Sequence, residues 1–539
     1  MTTGKDEKGR EALIVVEDIG SFEVFTGSNL RATLRQEGVY VDGTCSDNGT
    51  CGRCIVRING GDAGEPSSQE TGLLGERAAD QEHRLACCIT ISGDLGISID
   101  REQLLEVDST GRWKEVWGSP LWRPDLISPD HSGFGVAVDL GTTSIVAGLF
   151  DMSVTRPLDI KAAANPHLPW GEDIISRLDS AAGDQDVVTK MKELIWETVG
   201  DQIRSLCMRN GVSAGRITRV VVVANSAVHH LALGLPTGSL LTPPYSPSEK
   251  SRLTLSASEL PVSIKLAHDA VINFPPLVGG YAGSDVMVSL LAAREEGVKS
   301  GVLIDVGTNT EIAVWDSDKI LVATAPSGPA FEGGHIRSGM RAEEGAVWRV
   351  SIENGELKFE TIGEGPARGI CGTGIVDAIA SMVRCGIVDS TGLIVEGSHP
   401  QVKDGEFVIS REPDVSLEGE DVATVQKAKA AIAATLQLLL KKMDLEYGDL
   451  ERVYLAGAFG SRLNVANAVR IGLLPDLSTE LSPDCYVLAG NTALLGASMI
   501  LLSEKAQFET ELLSEKVQHL SVADDPDFEE MFIDMLYFS

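Results

Sequence analysis

The sequence predicts a multidomain protein in which a small α+β domain precedes a larger α/β domain built from two related lobes. Three observations lead to this prediction. Four cysteines follow a spaced pattern near the start of the chain, an Asp-x-Gly-Thr turn between apolar strands occurs twice, and a glycine turn follows a strand near the end. At 539 residues the chain is too long for a single hydrophobic core, because chains of this length usually divide into several domains.

The cysteine pattern lies in the first hundred residues. Cys45, Cys51 and Cys54 are spaced C-x5-C-x2-C, and Cys87 follows after a gap of 32 residues. Plant-type [2Fe–2S] centres have the related spacing C-x4-C-x2-C…C. Four unrelated buried thiols and a zinc knuckle are the alternatives, but zinc sites usually pair two C-x2-C turns. The spacing therefore predicts a [2Fe–2S] cluster with these four cysteines as metal ligands.

The surrounding residues predict a compact domain over residues 1–100. Its predicted elements are a hairpin, a helix and two strands: 12–16, 22–26, 28–38, 54–58 and 87–99. This order resembles the β-grasp fold of [2Fe–2S] ferredoxins, and Arg84-Leu85-Ala86-Cys87 resembles the segment that carries the fourth ligand in that family. Cys88 departs from the pattern, but along a strand its thiol would point away from that of Cys87.

Residues 101–134 are rich in proline and tryptophan. They predict a linker that lets the ferredoxin-like domain move relative to the remainder. A segment packed onto the larger domain by Trp113, Trp117 and Trp122 is the alternative, and the residues alone favour neither.

A strand–turn–strand pattern at 135–151 returns at 301–316, so that Asp305 follows Asp139 by 166 residues. A carboxylate at the end of a buried strand is costly without a partner, and Mg²⁺ or a water molecule held by it is a natural one. The glycine of each turn permits close approach to a phosphate, to which the following N–H groups and hydroxyls can donate. The predicted phosphate contacts are Thr142, Thr143, Gly307, Thr308 and Asn309.

A third glycine turn follows an apolar strand near residue 453. Its residues Gly457, Ala458, Phe459 and Gly460 are predicted to contact the adenosine side of a nucleotide. Together with the two hairpins, this order resembles the superfamily of acetate and sugar kinases, heat-shock chaperones and actin. The resemblance predicts a two-lobed, actin-like ATPase domain over residues 135–539.

Further motifs narrow the resemblance. They occur in the order NP at 165–166, GEDIISR at 171–177, NSAVHH at 225–230, GGYAGSD at 279–285, SGPAFEGG at 327–334, GMR at 339–341 and GICGTG at 369–374. With the N-terminal cysteine pattern, they resemble the reductive activators of corrinoid enzymes. Members of that family often carry another domain before the first hairpin, where this chain has only the short linker.

The resemblance implies ATP-dependent reduction of an inactive Co(II) corrinoid to Co(I). The corrinoid is held by a partner protein of a methyltransferase system. A low-potential electron donor supplies electrons to the iron–sulfur cluster. In this scheme Asp139 and Asp305 place Mg²⁺ and orient the attacking water. The Ser327 hydroxyl is presented to a partner, acts as a weak ligand to cobalt, or belongs to a structural turn near the nucleotide, and the turn is the favoured interpretation.

Composition and charge argue against several other functions and locations. The net charge of −33 repels phosphate backbones and so argues against nucleic acid as a partner. No apolar run has the length of a membrane span, and the charged start of the chain is unlike a signal peptide. Nine cysteines, of which five lie outside the cluster pattern, fit a reducing compartment, so a cytoplasmic location is expected.

Three other functions agree with parts of the sequence. A small-molecule kinase with an appended redox domain would phosphorylate a substrate without any reductant. An activator of radical dehydratases shares the ATPase fold, but those proteins bridge a cluster between two subunits. A nucleotide-gated electron carrier for another acceptor would bind ATP without turning it over.

Overall fold

The computed structural model describes residues 11–538 apart from 18–19, 37–38, 40, 42–53, 75–81, 100–118, 120, 128–130, 172, 296, 413, 461, 478–484 and 524. These residues form one five-stranded, two six-stranded and two three-stranded sheets. Across the same residues, no helix combines the length and the apolar character that crossing a membrane requires.

The five-stranded sheet lies in the cysteine-bearing segment and has the order β2-β1-β5-β3-β4. Its elements in chain order are β1 (Glu11–Val16), β2 (Gly20–Phe25), α1 (Leu30–Gln36), β3 (Ile55–Gly61), α2 (Ser68–Leu74), β4 (His83–Leu85) and β5 (Leu95–Ser98). β1 pairs antiparallel with β2 and parallel with β5, which confirms the predicted hairpin. Ile14, Leu30 and Leu85 are fully buried in the core that the sheet shares with α1.

The strand predicted over 87–99 is wrong in its first part. Cys87 lies in a 3-10 turn, Ala86–Cys88, and β5 begins only at Leu95. The bond from Ala86 N to Cys54 O, at 2.7 Å, continues the β3–β4 ladder to Ala86, and Ile89 N then donates to Ala86 O at 3.3 Å and closes the turn. The thiols of Cys87 and Cys88 therefore do not point to opposite faces, and their sulfur atoms are 3.9 Å apart.

The first six-stranded sheet forms one lobe of the larger domain and has the order β10-β11-β9-β6-β7-β8. The elements of this lobe are β6 (Phe134–Leu140), β7 (Ser144–Asp151), β8 (Arg156–Ala164), α3 (Ile174–Ala181), α4 (Gln185–Arg209), β9 (Ile217–Ala224), α5 (Ser226–Leu233), α6 (Gly238–Leu241), β10 (Leu253–Ser256), β11 (Val271–Phe274) and α7 (Ser284–Ala293). β6 pairs antiparallel with β7 and parallel with β9. Val136, Ala137 and Val138 are fully buried, as expected for a strand that is covered on both faces.

The second six-stranded sheet repeats this arrangement with the order β22-β21-β12-β13-β14-β23. The elements of this lobe are β12 (Gly301–Asp305), β13 (Thr310–Trp315), β14 (Ile320–Ala325), β15 (Ala346–Glu353), β16 (Glu356–Thr361), β17 (Gly369–Ile370), α8 (Gly372–Arg384), β18 (Val402–Lys403), β19 (Glu406–Arg411), β20 (Asp414–Leu417), α9 (Gly419–Met443), β21 (Arg452–Ala456), α10 (Gly457–Gly460), α11 (Val465–Arg470), β22 (Tyr486–Gly490), α12 (Thr492–Leu502), α13 (Glu504–Lys516), β23 (Val517–His519) and α14 (Pro526–Asp534). β12 pairs antiparallel with β13 and parallel with β21, as β6 does with β7 and β9. The sequence repeat is thus also a structural repeat.

Two buried helices join the lobes. α12 leaves the second sheet after β22 and packs on α7 as well as on β6 and β9 of the first sheet. Gly496 lies so close to α7 that a Cβ there would meet Val288 O at 2.2 Å. The hydroxyls of Thr492 and Ser289 are 2.8 Å apart. α7 and α12 therefore form a tightly packed core that both sheets share.

The end of the predicted linker packs onto this core. Leu121 and Leu126 are buried in it, and a guanidinium nitrogen of Arg123 donates to Arg294 O at 2.5 Å. Trp122 is partly buried against the same core. Trp113 and Trp117 lie outside the described residues.

Candidate functional site

The first hairpin places Asp139 near the end of β6, one residue before the turn. Its carboxylate is partly buried and accepts a hydrogen bond from Asn491 Nδ2 at 2.9 Å. Burial raises the pKa of Asp139 to about 6, and the hydrogen bond from Asn491 opposes this rise. Asn491 was not among the residues predicted from the sequence.

The second hairpin places Asp305 at the end of β12, beside the glycine turn of the same lobe. A Cβ at Gly457 would lie 2.7 Å from Asp305 Oδ1, and Gly457 has a φ of +80°. Both facts require glycine at this position. Burial, and then the charge of Asp139, raise the pKa of Asp305 to about 7, so the two predicted aspartates interact electrostatically.

Two further carboxylates join this pair. Burial and the charges of Asp139 and Asp305 raise the pKa of Asp285, at the start of α7, to about 7. Burial and the charges of Asp285 and Asp305 also raise the pKa of Glu311, which pairs with Asp305 across the hairpin. Glu311 could have been found from the sequence. The first hairpin has the apolar Ile145 at the equivalent strand position, so a charged residue at 311 is unusual there. We define Asp139, Asp285, Asp305 and Glu311 as the carboxylate cluster.

The carboxylate cluster fits Mg²⁺ only with additional ligands. Within the described part of the chain, no three acidic, histidine or cysteine side chains converge closely enough to hold a metal ion by themselves. Mg²⁺ usually keeps several waters and binds through one or two carboxylates plus substrate phosphates. The arrangement suits an ion that arrives with a nucleotide better than a permanently bound ion.

The turn of the first hairpin is held in shape by side chains from its own lobe. Asn165 Nδ2 donates to Gly141 O at 2.7 Å, and Arg177 donates to Thr142 O at 2.7 Å. Asn225 Nδ2 donates to Thr142 Oγ1 at 3.1 Å. Three of the motifs quoted above, at 165–166, 171–177 and 225–230, thus support the predicted phosphate turn.

Glu332 connects the two hairpins. Its carboxylate accepts from Thr308 Oγ1 at 3.1 Å and from Thr143 Oγ1 at 3.5 Å. Burial raises the pKa of Glu332. The structure therefore brings together the predicted hydroxyl donors of both turns. Gly307 and Asn309 lie in the second turn between β12 and β13, beside Thr308.

Ser327 lies in a turn that packs against the second hairpin. It is 6% exposed, and its hydroxyl lies 2.8 Å from that of Thr310 and 3.3 Å from Gly307 O, to which it can donate. The Ser327 side chain thus supports the second hairpin.

The late glycine turn forms a single helical turn, α10, directly after β21. The Phe459 ring stacks on that of Phe331, with centroids 5.1 Å apart, so the aromatic side chain packs within its own lobe. Gly460 is buried, and the side chain of Ala458 lies outside the described residues. The observed role of the turn is to let the chain pass beside Asp305.

The described cysteines of the predicted cluster converge. Cys54 Sγ and Cys87 Sγ are 3.1 Å apart in the core of the first sheet, and Cys87 N donates to Cys54 Sγ at 3.4 Å. Cys45 and Cys51 lie outside the described residues. Burial raises the pKa of the Cys54 thiol, so its ionisation calls for a positive partner such as an iron ion. The two described thiols therefore fit two ligands of an iron–sulfur cluster.

Nearby side chains fix the segment that carries Cys87. Asn29 Nδ2 donates to Cys87 O at 2.7 Å. Arg84 forms a two-point ion pair with Glu70, at 2.8 and 3.0 Å, and both side chains are almost fully buried. Glu70 also accepts from Leu85 N at 2.7 Å. The positively charged Arg31 lies close enough to Cys54 to favour its thiolate.

Comparison with protein families agrees with this architecture. The 2Fe-2S iron-sulfur cluster binding domain matches residues 16–92, the RACo middle region matches 134–295, and the C-terminal domain of RACo, the ASKHA domain, matches 299–539. ASKHA denotes the acetate and sugar kinase, heat-shock chaperone and actin superfamily. The ferredoxin-like domain followed by an actin-like domain is thereby confirmed.

Individual proteins give the same result. The chain is 34% identical over 420 residues to the corrinoid activation enzyme RamQ of Eubacterium limosum, covering 74% of this chain and 69% of RamQ. It is 25% identical to the [Co(II) methylated amine-specific corrinoid protein] reductase of Methanosarcina barkeri, covering 74% and 76%. A solved reductive activator for a corrinoid, iron–sulfur protein matches 98% of both chains with 26% identity and a TM-score of 0.67. The chain belongs to the RACo family of corrinoid-activating proteins.

Proposed function

We propose that this protein reduces the Co(II) corrinoid of a partner protein to Co(I) in an ATP-dependent reaction. The observation that carries the proposal is that one chain combines two sites. The first is a converging cysteine pair in a ferredoxin-like sheet, and the second is a pair of hairpins connected by Glu332 and the carboxylate cluster. The relatives named above support a corrinoid protein as the electron acceptor. A methyltransferase system is the setting in which such a protein serves.

The proposed ATP chemistry takes place in residues 135–539. Asp139 and Asp305 are the residues that would hold Mg²⁺, which would neutralise phosphate charge when bound. The two carboxylates orient the water that attacks the γ-phosphorus, and the bond from that phosphorus to the ADP oxygen breaks. The predicted donors to the phosphates are Thr142, Thr143, Gly307, Thr308 and Asn309. The glycine turn Gly457–Gly460 borders the adenosine side.

The proposed electron carriage takes place in residues 1–100, joined to the rest by 101–134. Cys45, Cys51, Cys54 and Cys87 are the proposed ligands of a [2Fe–2S] cluster, which supplies one electron at a time when bound. The electron that would reduce Co(II) to Co(I) comes originally from a low-potential donor outside this chain. Neither nucleic acid nor membrane has a role in this proposal.

The energy scale explains why ATP is needed. Plant-type clusters have potentials near about −400 mV, and each ~100 mV uphill costs about 2.3 kcal/mol per electron. Coupling between two binding sites typically amounts to about 1–3 kcal/mol. Nucleotide-driven stabilisation of a docked state in which cobalt is easier to reduce can therefore offset roughly 100 mV of an uphill electron transfer.

The direct test of the ATP role is turnover in the presence of the acceptor. We expect Mg²⁺-dependent ATP hydrolysis that a Co(II) corrinoid protein stimulates. Transfer of phosphate from ATP to a sugar or carboxylate without reductant would instead support a kinase. ATP binding without turnover would support a nucleotide-gated carrier.

A further inference from the structure

Asn491 occupies the junction between the two lobes. It follows β22, the edge strand of the second sheet, and directly precedes α12, which packs on β6 of the first sheet. From this junction its Nδ2 donates to Asp139 Oδ2, 352 positions earlier in the chain.

The orientation of the Asn491 amide is determined by two partners. While Nδ2 donates to Asp139, Oδ1 accepts from Leu494 N at 2.7 Å and so caps the first turn of α12. A flipped amide would lose both hydrogen bonds, because Nδ2 cannot accept from a backbone N–H and Oδ1 cannot donate to a carboxylate. The amide is therefore held in one orientation.

The helix that holds Asn491 also packs against the helix that begins with a cluster residue. All of α12 is buried, and it contacts α7 through the Gly496–Val288 approach and the Thr492–Ser289 hydroxyl pair. α7 begins at Ser284, immediately before Asp285. The positions of Asp139 and Asp285 are thus both set by one rigid helix pair.

We infer that Asn491 is a positioning residue for ATP hydrolysis, which holds one oxygen of Asp139 so that the other faces the metal ion and the attacking water. This inference rests on the proposed ATPase function. Asn491 lies outside both hairpins. Through Asn491, the packing of the two lobes determines the orientation of the Asp139 carboxylate.

The two roles of Asn491 can be separated by substitution. Asn491→Asp and Asn491→Ser both keep a side-chain oxygen that caps a helix well. Neither reproduces the hydrogen bond to Asp139, because an ionised aspartate has no donor and the serine side chain is one atom shorter. Asp184→Asn is the matched control, since Asp184 caps α4 away from the carboxylate cluster.

The experiment is steady-state ATP hydrolysis by the full-length protein at saturating Mg²⁺, with a Co(II) corrinoid protein present. We expect kcat to fall about 10- to 100-fold in both Asn491 variants, because small displacements of catalytic groups have effects of this size. We expect KM for ATP to change less than about threefold and both variants to unfold cooperatively, whereas Asp184→Asn keeps the wild-type kcat.

Each other outcome is decisive. Unchanged kcat in both variants overturns the inference while the proposed function stands. A loss confined to Asn491→Asp assigns the effect to the added charge and also overturns it. An equal rise in KM with kcat retained shows a role in binding only and overturns it as well. A wild-type protein that does not hydrolyse ATP overturns the proposed function and the inference together.

Discussion

Gly457 lies directly against Asp305: a Cβ at position 457 would be 2.7 Å from Asp305 Oδ1. Asp305 ends β12, and Gly457 directly follows Ala456, which ends the neighbouring parallel strand β21 and pairs with Asp305. The late glycine turn and the second Asp-x-Gly-Thr hairpin are therefore parts of one site. The conformation of the chain at Gly457 limits where the Asp305 carboxylate can lie.

The first prediction concerns this contact. Gly457→Ala should strain the backbone by about 1–2 kcal/mol, because its φ is +80°, and should also displace Asp305. We expect ATP hydrolysis to fall at least tenfold while the visible spectrum of the cluster is unchanged.

Gly386→Ala provides the control for Gly457→Ala. Gly386 also has a positive φ, of +68°, but a Cβ there would meet nothing within 4 Å. Gly386→Ala should share only the loss of stability that comes from the backbone strain, and only Gly457→Ala should lose activity. Equal activity in the two variants would show that the Gly457–Asp305 contact has no functional role.

The second prediction distinguishes Cys87 from its neighbour. Cys87→Ser should remove most of the visible absorption of the cluster, because Cys87 converges with Cys54. Cys88→Ser should retain that absorption, although the two sulfur atoms are only 3.9 Å apart. Anaerobic absorption spectra and iron content of the purified variants test this assignment. Retention in Cys87→Ser with loss in Cys88→Ser would reverse it.

The third prediction concerns the buried ion pair that supports the Cys87 segment. Glu70→Gln leaves Arg84 buried without its counter-charge and should destabilise the ferredoxin-like domain by about 3–5 kcal/mol. Glu82→Gln breaks the exposed pair with Arg57 and should cost less than about 1 kcal/mol. Loss of visible absorption on heating reports the difference. Similar melting temperatures for both variants would contradict it.

The fourth prediction is a pH dependence at Lys429. This residue of α9 is 1% exposed, and its Nζ donates to Tyr537 O at 2.5 Å. Burial lowers its pKa from the ordinary 10.5 to about 8. Between these two values the unfolded chain binds more protons than the folded protein, so this contribution to stability increases as the pH rises from 8 towards 10.5.

Lys429→Met removes this pH-dependent contribution. The thermal midpoint of the wild type, measured relative to Lys429→Met, should therefore increase between about pH 7.5 and pH 9.5. Lys427→Met is the control, because Lys427 lies on the same helix and is exposed. A flat or falling difference for Lys429→Met would contradict the burial argument.

Local sequence patterns predicted the fold well. Apolar strands ending in Asp139 and Asp305 are confirmed as β6 and β12, and the spacing of the cysteines identified the ferredoxin-like domain. These features succeed because hydrophobic periodicity and glycine turns act over a few residues. The strand assigned to Cys87 failed because the ladder of β3 and β4 ends at Ala86, where Ile89 N closes a 3-10 turn and the distant Asn29 side chain donates to Cys87 O.

Three site residues were not predicted from the sequence, for one common physical reason. Asn491 approaches Asp139 only through the packing of α12 between the lobes, and Glu332 approaches both hairpins from the 3-10 turn Ala330–Glu332. Asp285 begins a helix and so resembles an ordinary first-turn acid. Such tertiary proximity leaves no periodic pattern in the sequence, whereas the hairpin residues carry their signal in the turn itself.

The central claim is that ATP makes the Co(II) corrinoid reducible by this protein. The measurement that tests it is anaerobic visible spectroscopy of a Co(II) corrinoid protein mixed with this protein and a low-potential reductant, with Mg²⁺–ATP added only after a stable baseline. We expect the Co(II) spectrum to be replaced by that of Co(I) only after ATP is added, and not with Asp305→Asn, whose cluster should still be reduced. A reduced cluster, hydrolysed ATP and unchanged Co(II) across several corrinoid proteins would contradict the claim.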